Sequence, residues 1–270
     1  MDHGFDIEEI RSIAHRCGVD DPDNLPFLLR PDTEARGSIV LVHGLTATPW
    51  EMRLLAERLV AEGFCCYGLL LPGHGTTADD LARRDLAEWR DAVAAGVQGL
   101  RAEFSQVFGI GMSTGGLLLL DSLSRQNLAG LVLLSPFLRL RHRLAPLTGL
   151  LRHLIRFQER TLSDEAARHY YRHRPLHAVH QLNRLCQSLT SRLGQVTTPV
   201  LALRSKDDPT VSSESGLELF ERLGSPDKEL HTYDLHNIHV LSTEENPCLE
   251  DTLQRIVHFL LRLTDRQPDA

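Results

Sequence analysis

From Ser38 onward the apolar residues fall into short unbroken runs, and the segments between them repeat their apolar positions at helical spacing. The runs "SIVLV" (38–42), "FCCYGLLL" (64–71), "VFGIGM" (107–112), "LAGLVLLSP" (128–136) and "TPVLALRS" (198–205) show no apolar-polar alternation. Such runs read as strands buried on both faces, as in a parallel sheet. "KELHTYDL" (228–235) closes the series. Between them, "PWEMRLLAERLVAEG" places Met52, Leu55, Leu59 and Val60 on one helical face, with Gly63 as its stop. Further helices are expected over Leu81–Phe104, from Ser113, near Ser213–Leu223 and over Pro247–Leu263. Strand and helix alternating in this way predict an α/β domain, a mostly parallel sheet with right-handed crossovers and helices on both faces.

Two segments break the rhythm. Residues 1–37 are polar and rich in proline and acid after a short helix near Asp6–Arg16, and they read as a leader packed on the core. Residues 136–196 offer helix-like stretches, "LAPLTGLLRHLIRF" and "LSDEAARHYYRHR" among them, and no convincing strand. The expected organisation is therefore a core of 38–135 and 197–270, with 136–196 inserted as a helical cap.

Composition narrows the class. At 270 residues and 42% hydrophobic, one large core suffices. No apolar stretch approaches the roughly 20 residues that cross a bilayer. The opening "MDHGFDIEEIRSIAH" lacks the basic start and apolar centre of an export signal, so a cytoplasmic protein is expected. Five cysteines without a CxxC pair fit reduced thiols. A net charge of -7 argues against nucleic acid as a partner. No compact set of metal ligands is evident. Gly109-x-Gly111 lacks the further glycine and the downstream acid of a dinucleotide site, so neither a metal nor a cofactor is expected.

The chemistry concentrates at loops that follow strands. Gly111-x-Ser113-x-Gly115 lies between an apolar strand and an apolar helix. A sharp strand-to-helix turn leaves little room beside the serine, and glycines two before and two after relieve the crowding while the hydroxyl stands at the helix's positive end. A serine hydroxyl needs a base, and the base needs an orienting acid. Of 14 histidines, His239 is the best placed, in a loop after the last strand and before the last helix; His236 and His231 compete. Asp207 and Asp208 both follow "PVLAL" at a strand's carboxyl end. An attacked carbonyl becomes an oxyanion, and the backbone N–H groups of Thr114 and Leu45 are the natural donors. His43 reads as a loop organiser, and the Gly73-His74-Gly75 turn as structural.

At these residues the chain resembles the α/β-hydrolases, and within them the bacterial carboxylesterase and monoacylglycerol lipase group. The order Ser, Asp, His is that of the fold. The group's His-Gly-aliphatic segment is matched by His43-Gly44-Leu45, its Pro-Gly-His-Gly turn by Pro72 to Gly75, its elbow by Gly111 to Gly115 and, in shortened form, its Trp-x-x-Asp segment by Trp89 to Asp91. Its acid follows a small residue by three positions and precedes x-x-Val, which aligns Ser205 and Val211 and selects Asp208 over Asp207. Its Gly-His-Val ending departs here to Ile238-His239-Val240.

What the resemblance implies is a serine hydrolase acting on a small or medium hydrophobic acyl ester through an acyl-serine intermediate, without a cofactor. The catalytic residues would be Ser113, Asp208 and His239, and the oxyanion donors Leu45 and Thr114. His43, Gly44 and Trp50 would border the substrate, and Leu147, Leu151 and Leu154, with Leu150 and Ile155, would cover the acyl chain from the cap. Thioester hydrolysis or acyl transfer on the same residues, and a non-catalytic small-molecule binder, remain open. The segment from Leu138 to His180 holds nine arginines and six histidines against three acids. It is expected to form a basic outer patch, facing solvent, an anionic substrate or an anionic lipid surface.

Overall fold

The computed structural model describes residues 5–142 and 147–265. In chain order its strands are β1 (Phe27–Leu29), β2 (Ser38–Val42), β3 (Cys65–Leu69), β4 (Val107–Met112), β5 (Gly130–Leu134), β6 (Phe157–Glu159), β7 (His173–Pro175), β8 (Val200–Asp207) and β9 (Lys228–His236). The helices are α1 (Ile7–Arg16), α2 (Arg53–Ala61), α3 (Ala78–Leu81), α4 (Leu86–Arg101), α5 (Thr114–Ser122), α6 (Thr148–Leu151), α7 (Leu176–Thr190), α8 (Ser213–Arg222) and α9 (Leu249–Thr264). Seven strands form one sheet in the order β1-β3-β2-β4-β5-β8-β9. Every neighbouring pair in it is parallel except β1 with β3. This is the α/β-hydrolase architecture.

The unbroken apolar runs are explained by burial on both faces: each residue of β2, β3, β4 and β5 is buried. One face carries Val40, Val42 and Leu133 against Trp89, Val93, Leu117 and Leu182 of α4, α5 and α7. The other carries Ile39, Leu41, Ile110 and Val132 against Leu55, Leu59, Ile256 and Phe259 of α2 and α9. Burial of each such aliphatic side chain contributes roughly 1.5–3 kcal/mol, so the two packed layers fix the sheet and with it the positions of the strand ends.

Three expectations need correction. The helix read over Leu81–Phe104 starts only at Leu86, and Leu81 ends the short α3, because the side chain of Asp85 caps a new start by accepting the Glu88 N–H at 3.1 Å while Glu88 accepts the Asp85 N–H at 2.8 Å. The leader contributes a strand: Phe27–Leu29 pairs antiparallel with β3 and covers the sheet edge. Between β5 and β8, "LSDEAARHYYRHR" is not helical; it holds a single 3₁₀ turn at Ala166–Arg168 and ends in β7, which pairs with β6 as a two-stranded ribbon. The long helix there is α7. Of "LAPLTGLLRHLIRF", residues 144–146 lie outside the described residues, as does Arg143, and α6 spans one turn.

Candidate active site

The parallel register sets the strand ends level. Val42 is opposite Gly111, Gly111 opposite Leu133, and Leu133 opposite Ala202, so His43, Ser113, Ser135 and Asp208 all emerge at the carboxyl edge of the sheet, where open α/β sheets place ligands. Ser113 turns the chain from β4 into α5 at φ 52°, the left-handed region that side chains seldom occupy. Its N–H donates to Leu134 O at 2.7 Å. The flanking glycines are needed sterically: a Cβ at Gly111 would strike the backbone of Gly115 and Gly116, and one at Gly115 the carbonyls of Val42 and His43.

Asp208 is 3% exposed and held rigidly. Its Oδ1 accepts the N–H groups of Thr210 (2.7 Å) and Val211 (3.0 Å). Its Oδ2 lies 2.6 Å from His239 Nδ1. A carboxylate only accepts, so Nδ1 carries the proton and Nε2 presents a lone pair. That Nε2 is 3.0 Å from Ser113 Oγ. Ser135 Oγ donates to His239 O at 2.6 Å and steadies the loop on which the imidazole sits.

The competing residues fall outside this line. Asp207 is half-exposed and receives Arg141 Nη1 at 2.9 Å. His236 is 69% exposed, with Nδ1 3.8 Å from Asp207. His231 sits within β9, packed edge-on to Tyr233.

The loop after β2 runs beside the serine. A Cβ at Gly44 would come within 3.7 Å of Ser113 Cβ, and Leu45 and Thr114 both line the cavity above Ser113, together with Glu51, Phe137, Arg160 and Arg174. Thr114 opens α5, so its N–H has no partner within the helix. Glu51, 3% exposed, accepts the Gly44 N–H at 2.7 Å. Burial raises its carboxyl to about 7, opposed by that N–H and by Tyr170, His239 and Arg160 nearby. The loop is also held from above: Arg160 Nη1 donates to Thr46 Oγ1 at 2.8 Å, and Tyr171 N–H to Thr46 O at 3.0 Å. Glu51, Arg160, Tyr170 and Arg174 were not among the residues expected here.

The serine cavity is small, about 50 Å³. It adjoins a groove of about 940 Å³, with Leu140, Arg174, Val179 and Thr210 on the wall common to both. Leu151, Ile155, Phe157 and Leu176 line the groove. Several residues expected at the substrate are elsewhere. Leu147 and Leu154 are 51% and 80% exposed and line neither hollow. Trp50 stacks on His169 at 4.1 Å and borders a separate hollow with Arg53 and Tyr170. His43 is fully buried; its Nε2 accepts the Leu71 N–H at 3.2 Å and its Nδ1 donates to Gly44 O at 2.9 Å. Burial and the neighbouring His74 push its pKa well below the usual histidine value, so it stays a neutral brace of the loop.

Five of the eight described arginines between Leu138 and His180 pair with acids. Arg139 pairs with Glu218, Arg141 with Asp207, Arg156 with Asp79, Arg168 with Asp21 and Arg172 with Asp164. Four of these five tie the segment to acids of the surrounding core or leader. Among the described residues no helix is long and apolar enough to cross a membrane.

The chain is similar to known proteins along most of its length. It is 26% identical over 221 residues to a thermostable monoacylglycerol lipase of Bacillus sp. (strain H-257), covering 80% of this chain and 88% of the lipase. It is 21% identical over 243 residues to a carboxylesterase of Bacillus subtilis (strain 168), covering 88% and 96%. Among solved structures, one from the metagenome-derived lipolytic enzymes LipS and LipT superposes with a TM-score of 0.80 at 24% identity, over 89% of this chain and 98% of that one. A monoacylglycerol lipase of Paleococcus ferrophilus gives 0.72 at 20% identity, over 88% and 99%. The model of the alpha/beta hydrolase family matches residues 39–247, and the chain belongs to that family.

Proposed function

We propose that this chain is a serine hydrolase of carboxylic esters. The observation that carries the reading is the continuous line from Asp208 through His239 to Ser113, with contacts of 2.6 and 3.0 Å. Its relatives' names, a monoacylglycerol lipase and a carboxylesterase, favour an oxygen ester. His239 Nε2 takes the proton as Ser113 Oγ attacks the carbonyl carbon, and Asp208 stabilises the imidazolium that results. The oxyanion is received by the N–H groups of Leu45 and Thr114. Collapse of the tetrahedral species breaks the ester C–O bond, and His239 returns the proton to the departing alcohol. Water, deprotonated by the same nitrogen, then releases the acid from the acyl-serine.

The segment 136–196 acts in this reading as a cap. Its groove, lined by Leu151, Ile155, Phe157 and Leu176, gives the hydrophobic part of a small or medium acyl ester a place to leave water. The test is hydrolysis of a short-chain 4-nitrophenyl ester by the wild type and by Ser113→Ala. Loss of at least about a thousandfold in kcat supports the reading; turnover unchanged in a folded, purified variant overturns it.

A further inference from the structure

Ester hydrolysis by a serine, a histidine and an aspartate has no use for guanidinium groups, yet two of them line the serine cavity. Arg160 is accounted for in part: it donates to Thr46 Oγ1, and its charge faces Glu51. Arg174 is not. Its guanidinium makes no hydrogen bond or ion pair with any described residue, and its Nε is fully buried. The five cap arginines with acidic partners show that the segment has acids within reach where a pair is wanted. Burial, together with the charge of Arg160, draws the Arg174 pKa down to about 10, so it remains a cation at neutral pH.

Arg174 is only partly exposed, and a guanidinium drawn largely out of water without a counter-ion is costly. Arg174 stands on the wall that the serine cavity shares with the apolar groove. Arg160 faces the carboxyl groups of Glu51 and Glu245, whereas the charge acting on Arg174 is that of Arg160, with no carboxylate opposite it, and one unmatched guanidinium suits a monoanion. We infer that the substrate is an ester that carries a carboxylate of its own, seated against Arg174 within a few atoms of the scissile bond, with its apolar part along the groove. The inference rests on the ester-hydrolase reading and adds the chemical class of the substrate.

The experiment compares kcat/KM for 4-nitrophenyl glutarate, whose acyl chain ends in a free carboxylate, with that for its methyl ester. A second pair of esters carries the carboxylate and its methyl ester on the alcohol. A charge-assisted hydrogen bond corresponds to a preference for the charged ester of about tenfold to a hundredfold in at least one pair. Arg174→Gln should abolish that preference while still hydrolysing the neutral ester, Arg174→Lys should keep a measurable part, and Arg139→Gln, on the surface with Glu218, should keep all of it. A wild type without preference in both pairs, or an Arg174→Gln enzyme that retains it, overturns the inference. Hydrolysis of the neutral esters alone leaves the ester reading intact; hydrolysis of none of them removes both.

Discussion

Glu51 offers a perturbation whose size can be worked out before it is made. It is a carboxyl group 3% exposed, and burial raises its pKa from 4.5 to about 7. The folded state therefore holds the proton more tightly than the unfolded chain does. Stability from this group is full below about 4.5, declines as the pH rises towards about 7, and is level beyond. The displacement corresponds to about 3 kcal/mol. Glu51→Gln keeps an oxygen to accept the Gly44 N–H and removes the ionisation. At pH 8 the variant should be more stable than the wild type by about 3 kcal/mol, and the gap should close near pH 4.5. Urea unfolding followed by tryptophan fluorescence at several pH values measures both curves, and subtraction cancels the titrations that the two proteins share. A difference independent of pH would refute the reasoning. So would a variant that loses ground as the pH rises, because attraction between ionised Glu51 and Arg160 would then outweigh the burial.

Other outcomes follow from the same geometry. His239→Ala should lower kcat by about a thousandfold or more, whereas His236→Ala, which alters an exposed ring, should change it less than about twofold; steady-state rates on one ester decide. Asp208→Asn should cost far more than Asp207→Asn, by about a hundredfold or more, since only Asp208 meets the imidazole. Gly115→Ala should destabilise the fold by about 1–3 kcal/mol, because the added methyl meets the carbonyls of Val42 and His43. A melting temperature equal to that of the wild type would contradict that steric account.

Most of the sheet was legible because parallel strands buried on both faces write themselves as continuous apolar runs, and β2 and β4 begin and end where the runs do. β1 was hidden by its length of three residues and by its edge position, where only Phe27 is buried. The ribbon of β6 and β7 was hidden for a related reason: Gln158, Glu159 and His173 face solvent, so no apolar signal marks a strand. Ser113, Asp208 and His239 could be read because each follows a strand whose end was visible. Glu51, Arg160 and Arg174 could not. They converge on the cavity from the segment after β2 and from the two strands of the ribbon, and nothing local sets them apart from solvated charges. Glu51 in particular occupies a polar position in an amphipathic stretch, and only the tertiary fold buries it.

The central claim is that Ser113 is a nucleophile activated by His239. Its most direct measurement is incubation of the wild-type protein with a fluorophosphonate at pH 8, followed by intact-mass and peptide mass spectrometry. The account predicts one covalent adduct per chain, located on Ser113, with labelling suppressed in His239→Ala. Absence of labelling in the folded wild-type protein, or an adduct on another residue while Ser113 stays unmodified, would contradict it.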